Sequence, residues 1–259
     1  MSATSEVVSS DPGIQSLERL RTVEPTMVCR NRSFDLPRFC RQVFRNIDFR
    51  GKTMLEIGCG EGTLCLWAAI HGALEVVGLE AHNHDAHPDL AFAGDHQVFL
   101  AEANEIDLPQ AKIAPCSFQE YAAADKKFDI VLSLASINQL DEKSCIRLRD
   151  SRQAARTYEG IFRRVARMMK PGGTLIIVDA GRRNFFNDLG LRNPMLPCVE
   201  WFKHQQPEDW VWLLQNCGFV RPDIAWTSGG WLRKLRIFRI PKALAYFGLS
   251  MFRLEMTRV

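Results

Sequence analysis

From about residue 53 onward, short apolar runs alternate with longer amphipathic stretches. The short runs predict strands over 53–57, 75–79, 111–116, 128–134 and 173–179. The longer stretches predict helices over 62–71, 88–106, 144–169 and 207–217, preceded by two helices over 14–22 and 36–46. Strands that alternate with helices favour a parallel sheet covered on both faces. The pattern therefore predicts an α/β fold.

The most informative stretch is the first strand and the loop that follows it. The strand at 53–57 runs into three glycines at alternate positions, Gly58, Gly60 and Gly62. Glycine lets the backbone turn sharply and approach a ligand without a Cβ in the way, and the following helix begins with unpaired N–H groups. The second strand ends on Glu80, where a carboxylate can accept hydrogen bonds from a ribose diol. This arrangement predicts a nucleotide-cofactor site.

The spacing Glu56-x-Gly58-x-Gly60-x-Gly62 resembles the first motif of the class I (Rossmann-like) S-adenosylmethionine-dependent methyltransferases, of the small-molecule type. Three later motifs of that family follow in the same order: Phe128-Asp129, Lys170-Pro171-Gly172-Gly173 and Asn216-Cys217-Gly218-Phe219. The alternatives are a dinucleotide site, which has the spacing G-x-G-x-x-G, and a structural turn without a ligand. The resemblance implies a seven-stranded, mostly parallel sheet with helices on both faces and residues 251–257 as its antiparallel last strand. The two helices that precede the first strand would form an N-terminal helical cap.

The resemblance also implies S-adenosylmethionine (SAM) as cofactor and S-adenosylhomocysteine as product. In such a site the glycine loop flanks the methionine part, Glu80 binds the ribose, and the backbone after strand four contacts the amino group. Ser117 and Phe118 stand where the family often has an acid, so Ser117 would hydrogen-bond and Phe118 would stack on the adenine. The implied cofactor contacts are Glu56, Gly58, Cys59, Gly60, Glu80, Ala81, Ser117, Phe118, Ser133 and Leu134.

Methyl transfer needs an oriented nucleophile and a site without water, and it needs a base only when the acceptor is protonated. His204 titrates in the useful range and is the candidate base, with a structural role at the helix near Pro207 as the alternative. Asn138 is a second candidate for catalysis, although helix capping explains it equally well.

Three further residues are candidates for substrate contacts. Trp201 and Phe202 would form the wall of a pocket. Arg182 follows strand five, and its guanidinium suits a carboxylate or phosphate. A solvated loop is the alternative reading of Arg182.

Charge and composition restrict the partners. The net charge is only +3, which makes attraction to nucleic acid weak, and Ser133–Ser136 stands where many base-amine methyltransferases carry Asn/Asp-Pro-Pro-Tyr. Residues 229–259 hold seven Lys or Arg against one acid. The basic and apolar run 231–240 within them predicts a lid over the substrate, which we favour, or a peripheral membrane contact.

Other features exclude further classes of protein. His82, His84, Asp85 and His87 are potential metal ligands, but ligands from one short loop rarely fix a metal alone, so no metal is predicted. The eight cysteines form no C-x-x-C pair, as is typical of reduced thiols. The N-terminal residues carry no hydrophobic secretion signal, and no apolar run is long enough to span a bilayer. These features predict a cytoplasmic protein.

The sequence thus predicts a SAM-dependent methyltransferase that acts on an oxygen or nitrogen of a small molecule, with a sugar or lipid-linked intermediate as the leading variant. The alternatives are a non-catalytic SAM-binding partner or sensor protein and an RNA methyltransferase. We expect residues 1–50 to form a helical extension that caps the site. Residues 51–259 would form the SAM-binding domain, with an insert at 229–250.

Overall fold

The computed structural model describes residues 36–81, 108–123, 125–197, 199–227 and 239–259, and the account below concerns these ranges. They form one seven-stranded sheet with helices on both faces. The strands are β1 Thr53–Ile57, β2 Glu75–Leu79, β3 Ala111–Ala114, β4 Phe128–Leu134, β5 Met169–Ala180, β6 Phe219–Trp226 and β7 Met251–Arg258. The α-helices are α1 Leu36–Phe44, α2 Thr63–Ile70, α3 Glu142–Ile146, α4 Arg152–Arg167, α5 Phe185–Asp188, α6 Pro207–Gln215 and α7 Lys242–Tyr246. Short 3-10 helices span Ile137–Gln139 and Trp201–Lys203.

The strand order is β3-β2-β1-β4-β5-β7-β6. Strands β1 to β5 pair in parallel, and β7 lies antiparallel between β5 and β6. The predicted mostly parallel sheet with an antiparallel last strand is confirmed. The order reverses between β1 and β4, and ligands of open α/β sheets bind at such a switch point, beyond the carboxyl ends of the strands. The topology therefore points to that edge of the sheet.

Each face of the sheet is covered by its own apolar layer. On one face, Tyr158 and Phe162 of α4 pack against Trp210 of α6, with ring centroids 5.1 and 5.8 Å from the Trp210 ring. On the other face, the residues of α1 and α2 join the second core cluster. Helix α2 buries residues all around its circumference, as a fully enclosed helix must. It is the helix that follows the glycine loop.

The N-terminal helix α1 packs on the sheet face opposite α4 and α6, where a hydrogen bond from β7 holds it. The Nε of Arg253 in β7 donates to the carbonyl of Val43 at 2.5 Å, and Cys40 and Phe44 are buried in the core. The predicted helix over 36–46 thus exists, two residues shorter. The predicted helix over 14–22 lies outside the described residues, and a cap formed by residues 1–50 stays a prediction.

One predicted element is wrong. The single helix expected over 144–169 is two helices, α3 and α4, separated by residues 147–151. The cap at Ser151 produces the break, because its side chain accepts from the N–H of Ala154 and starts α4, whereas Asp141 accepts from the N–H of Ser144 and starts α3. Each cap satisfies an N–H that lacks an intrahelical partner, so each starts a helix of its own. Strand β5 also begins at Met169, before the Lys170–Gly173 turn that was expected to precede it.

Candidate active site

The glycine loop between β1 and α2 requires its three glycines. Gly58, Gly60 and Gly62 have φ angles of 70°, 53° and 73°, in the left-handed region that other residues rarely adopt. The N–H groups of Gly58 and Cys59 both donate to the carbonyl of Leu79 at 2.9 Å. A Cβ on Gly58 would lie 2.5 Å from the Cβ and Oγ of Ser136. The loop is therefore pinned between the ends of β2 and β4.

Glu80 holds the loop from the neighbouring strand. Its Oε2 accepts from the N–H of Gly60 at 2.7 Å, and its own N–H donates to the carbonyl of Ala114 at 3.2 Å. The structure therefore brings the predicted ribose-binding acid and the predicted glycine loop into direct contact. Ala81, the next predicted contact, is exposed at the same edge.

Glu56 lies beneath the loop and is 2% exposed. The thiol of Cys65 in α2 donates to its Oε2 at 3.0 Å. The pKa of Glu56 is raised to about 8, chiefly by burial. The hydrogen bond from Cys65 lowers this pKa and the nearby Glu80 raises it, and the value of about 8 includes both effects. The side chain is thus enclosed between β1 and α2. In this position beneath the glycine loop, Glu56 can support the loop.

The raised pKa of Glu56 predicts how the stability of the protein depends on pH. Between its unfolded value of 4.5 and its folded value of about 8, the folded protein keeps a proton that the unfolded chain releases. The stabilisation is complete below pH 4.5 and is lost as the pH rises towards 8, by about 1.4 kcal/mol per pH unit. Glu56→Gln should remove this slope, measured as the difference from wild type in urea unfolding at pH 5, 6, 7 and 8. Glu142→Gln, at a partly exposed acid, should keep it; equal slopes in wild type and Glu56→Gln would contradict the assignment.

The end of β4 contacts the glycine loop on the side opposite β2. The Oγ of Ser136 donates to the carbonyls of Ile57 and Leu134, both at 2.8 Å. The N–H of Ala135, a residue with φ 51°, donates to Val178 of β5 at 2.8 Å. Ser133 is buried and Leu134 is half-buried. The backbone after β4 thus lies against the glycine loop, as the predicted cofactor contact requires.

Asp179 and His204 form a pair that sequence reasoning did not propose. Asp179 is 1% exposed at the end of β5, and its Oδ1 accepts from the N–H of Ala180 at 2.7 Å and contacts His204 Nδ1 at 3.1 Å. A neutral imidazole that donates from Nδ1 carries its free lone pair on Nε2. The only sequence signal for Asp179 was a carboxylate that ends an otherwise apolar strand. No sequence signal joins two residues that are 25 apart along the chain.

The predicted substrate residues differ in their exposure. Trp201 is buried, whereas Phe202 is 49% exposed, with the Lys203 ammonium 6.0 Å from its ring centroid. Arg182 is half-buried, and its Nη1 donates to the carbonyl of Ile146 at 3.4 Å. Asn138 is buried in the 3-10 helix after β4. The rings of Trp201 and Phe202 are therefore not equally enclosed, because the first is buried and the second is exposed.

The residues after β3 are engaged elsewhere. The Oγ of Ser117 donates to Oε2 of Glu120 at 2.7 Å, which also accepts from the N–H of Ser117 at 3.0 Å. The ring of Phe118 is buried in the core, with the Arg164 guanidinium 5.4 Å from its centroid. These partners explain both side chains without a ligand, so neither supports the predicted adenine contact.

Three further predictions fall wholly or largely outside the described residues, and the helix over 88–106 is the first of them. The ligand cluster at His82, His84, Asp85 and His87 lies there entirely, as does all of the 231–240 run except Arg239 and Ile240. Within the described ranges, no group of three or more potential ligands is placed to hold a metal. The helices in those same ranges are all too short or too polar to cross a bilayer.

Comparison with known proteins identifies the family. Residues 31–220 match the family model described as a methyltransferase domain, which is most of the chain. The chain belongs to this family. The expected class I SAM-dependent methyltransferase relationship and SAM as its cofactor are thereby confirmed.

The similar proteins cover different shares of this methyltransferase. It is 47% identical over 74 residues to protein arginine N-methyltransferase PRMT10 of Oryza sativa subsp. japonica, across 26% of this chain and 20% of that protein. It is 26% identical over 129 residues to phosphoethanolamine N-methyltransferase 3 of Arabidopsis thaliana, across 50% and 21%. The chain thus spans about a fifth of the length of these curated relatives.

A solved structure shows the same fold. The phospholethanolamine N-methyltransferase 2 of Haemonchus contortus, in complex with phosphomonomethylethanolamine and S-adenosylhomocysteine, matches with a TM-score of 0.57 at 14% identity. The match covers 96% of this chain and 59% of that one. At this identity the likeness concerns the fold alone.

Proposed function

We propose that this chain transfers a methyl group from SAM to an oxygen or nitrogen of a small molecule, with His204 as the general base and Asp179 as the residue that positions it. The observation that carries the proposal is the 3.1 Å contact between Asp179 Oδ1 and His204 Nδ1. It lies at the carboxyl end of β5, two strands from the glycine loop of β1.

The residues at the ends of β1, β2 and β4 fit the cofactor. The left-handed glycines leave three positions of the loop without a Cβ, and Glu80 is held against Gly60. We assign Gly58, Cys59, Gly60, Glu80 and Ala81 to the methionine and ribose parts. The backbone of Ser133 and Leu134 is assigned to the amino group. Glu56 supports the loop, and we leave Ser117 and Phe118 out of the contacts.

SAM supplies a methyl carbon on a sulfonium, to which a lone pair of the acceptor forms the new bond while the electron pair of the broken bond stays on sulfur. The protein has to orient the acceptor, exclude water and remove a proton where the acceptor carries one. Asp179 accepts from Nδ1 of His204, which leaves Nε2 to take that proton. A buried carboxylate in this position also stabilises the imidazolium that results.

Loss of Glu80 should weaken cofactor binding. In Glu80→Ala the carboxylate that holds Gly60 is gone, and we expect SAM binding to lose about 1–3 kcal/mol, the scale of a hydrogen bond to a charged group. Isothermal titration calorimetry with SAM measures the effect. Glu75→Ala, at the opposite end of β2 where Glu75 pairs with Lys126, is the matched control and should bind as wild type. Equal affinity in the Glu80 variant would remove this residue from the site.

The relatives give the small-molecule reading further support. The Haemonchus protein was solved with a small phosphobase, and the Arabidopsis relative is named for phosphoethanolamine. The rice relative is named for protein arginine, which keeps a protein nitrogen among the acceptors to be tested. Incubation with labelled SAM and fractionated cell extract distinguishes these readings, because the label would enter the small-molecule, protein or RNA fraction.

A non-catalytic SAM-binding protein remains the second candidate function, since the glycine loop and Glu80 alone would serve it equally. The contact of His204 with the buried Asp179 favours catalysis, because binding the cofactor requires no base beside β5. Calorimetric SAM binding together with no transfer of label to any fraction would favour the second candidate.

A further inference from the structure

A group of buried oxygens surrounds Cys145 of α3 and Tyr158 of α4. The Tyr158 hydroxyl donates to the carbonyls of Ile137 and Asn138 at 3.0 and 3.2 Å. The Nε2 of Gln205 donates to the carbonyl of Cys145 at 2.5 Å. Burial, and secondarily the nearby Asp179 carboxylate, raise the pKa of Cys145 to about 12. Asp179 contacts His204, which directly precedes Gln205, and Tyr158 joins the 3-10 helix of Asn138 to this part of the fold.

Three side-chain oxygens in this region lack partners. Asp179 Oδ2, Asn138 Oδ1 and Gln205 Oε1 are buried and accept no hydrogen bond from any residue that the structure describes. Their side chains are 1%, 4% and 0% exposed. A buried polar atom without a partner typically costs about 1–3 kcal/mol, and native proteins keep few of them. Three such atoms beside the proposed base indicate a ligand that supplies the missing donors.

The chemistry of the three atoms restricts that ligand. A carboxylate oxygen and the two amide oxygens only accept hydrogen bonds. The contact of Gln205 Nε2 with Cys145 fixes which end of that amide carries the oxygen. A protonated primary amine presents three N–H donors and no acceptor, whereas an alcohol presents a single donor and brings acceptors of its own. The set therefore matches an ammonium better than a hydroxyl.

We propose that Asp179, Asn138 and Gln205 form a subsite for a primary ammonium group and that the methyl acceptor is an amine. This inference rests on the proposed function, because it assigns the acceptor of that same site. For transfer, one of the three N–H groups leaves its oxygen and gives its proton to Nε2 of His204, while the other two stay hydrogen-bonded. The nitrogen keeps the electron pair, which forms the bond to the methyl carbon as the carbon–sulfur bond breaks with its pair on sulfur. Asp179 thus contacts His204 through Oδ1 and the substrate through Oδ2.

The test is binding of a small amine to protein saturated with S-adenosylhomocysteine. The probes are n-propylammonium chloride and its matched alcohol, n-propanol, titrated to about 100 mM at constant ionic strength and followed by ligand-observed NMR. We expect the wild type to bind the ammonium at least about tenfold more tightly than the alcohol, the factor for a hydrogen bond to a charged group. This comparison requires no variant to fold.

Two variants locate the subsite. Asp179→Asn replaces Oδ2 by a donor at unchanged shape, and Asn138→Leu removes Oδ1 at similar volume; each should weaken ammonium binding about tenfold without changing the affinity for S-adenosylhomocysteine. Glu208→Gln removes a negative charge from an exposed acid paired with Lys242 and should bind as wild type.

Each outcome decides one point. Equal binding of ammonium and alcohol, no ammonium binding by the wild type, or wild-type affinity in Asp179→Asn would overturn the subsite, and water would then be the partner of these oxygens. Failure of wild-type protein to bind S-adenosylhomocysteine would instead overturn the proposed function. The two failures are therefore distinguishable.

Discussion

His204→Ala is expected to lower methyl transfer by about 10²–10⁴-fold, the usual contribution of a positioned general base, while SAM binds with unchanged affinity. The side chain contacts Asp179 at the end of β5, not the glycine loop, so its loss removes proton transfer and leaves the cofactor cradle intact. Transfer of label from SAM to the acceptor pool of a cell extract measures the rate, and calorimetry measures the affinity.

Lys203→Ala is the matched control for this experiment. Lys203 precedes His204 and forms ion pairs with Glu142 and Glu200, so its loss should leave the rate close to that of wild type. Added imidazole should restore part of the activity of His204→Ala, since it replaces the missing proton acceptor. An unaltered rate in His204→Ala would return His204 to a structural role.

Gly58→Ala should abolish detectable SAM binding and lower the free energy of unfolding by several kcal/mol. The left-handed φ of 70° costs a residue with a Cβ about 1–2 kcal/mol. The new Cβ would also lie 2.5 Å from Ser136, and overpacking of this kind costs about 1–3 kcal/mol more. Relief of the contact moves the loop away from the end of β4. Urea unfolding and calorimetry with SAM measure the two effects.

Gly51→Ala separates the two causes. Gly51 has nearly the same φ, 69°, but a Cβ there meets no atom within 4 Å, so only the backbone cost of about 1–2 kcal/mol should appear. SAM affinity should be unchanged. If Gly51→Ala and Gly58→Ala destabilise the protein equally, the contact with Ser136 contributes nothing, and the loop tolerates a side chain at Gly58.

Local sequence patterns were sufficient to predict most of the strands of the sheet. Strands β1, β2 and β4 have the predicted bounds, because a strand buried on both faces needs an apolar run that ends where the chain turns. The prediction of one helix over 144–169 failed because residues 147–151 contain no Pro or Gly to mark a stop, while the capping side chain of Ser151 decides the break. Capping depends on geometry that periodicity does not record.

The site divides in a similar way. The contact between Glu80 and the glycine loop follows from motif order, since neighbouring parallel strands end at the same edge. The order of the motifs did not predict the surroundings of Glu56 and Phe118. Both stand at positions that the family resemblance linked to the cofactor, and both side chains are enclosed by the protein itself.

The sequence by itself determined the family and the class of cofactor, because these depend on backbone turns and strand order that short motifs encode. Only the tertiary structure joined Asp179 to His204 and left buried oxygens of Asp179, Asn138 and Gln205 without a partner among the described residues. Those residues come from separate segments of the chain. Their proximity arises from the packing of helices on the sheet, which no local pattern specifies.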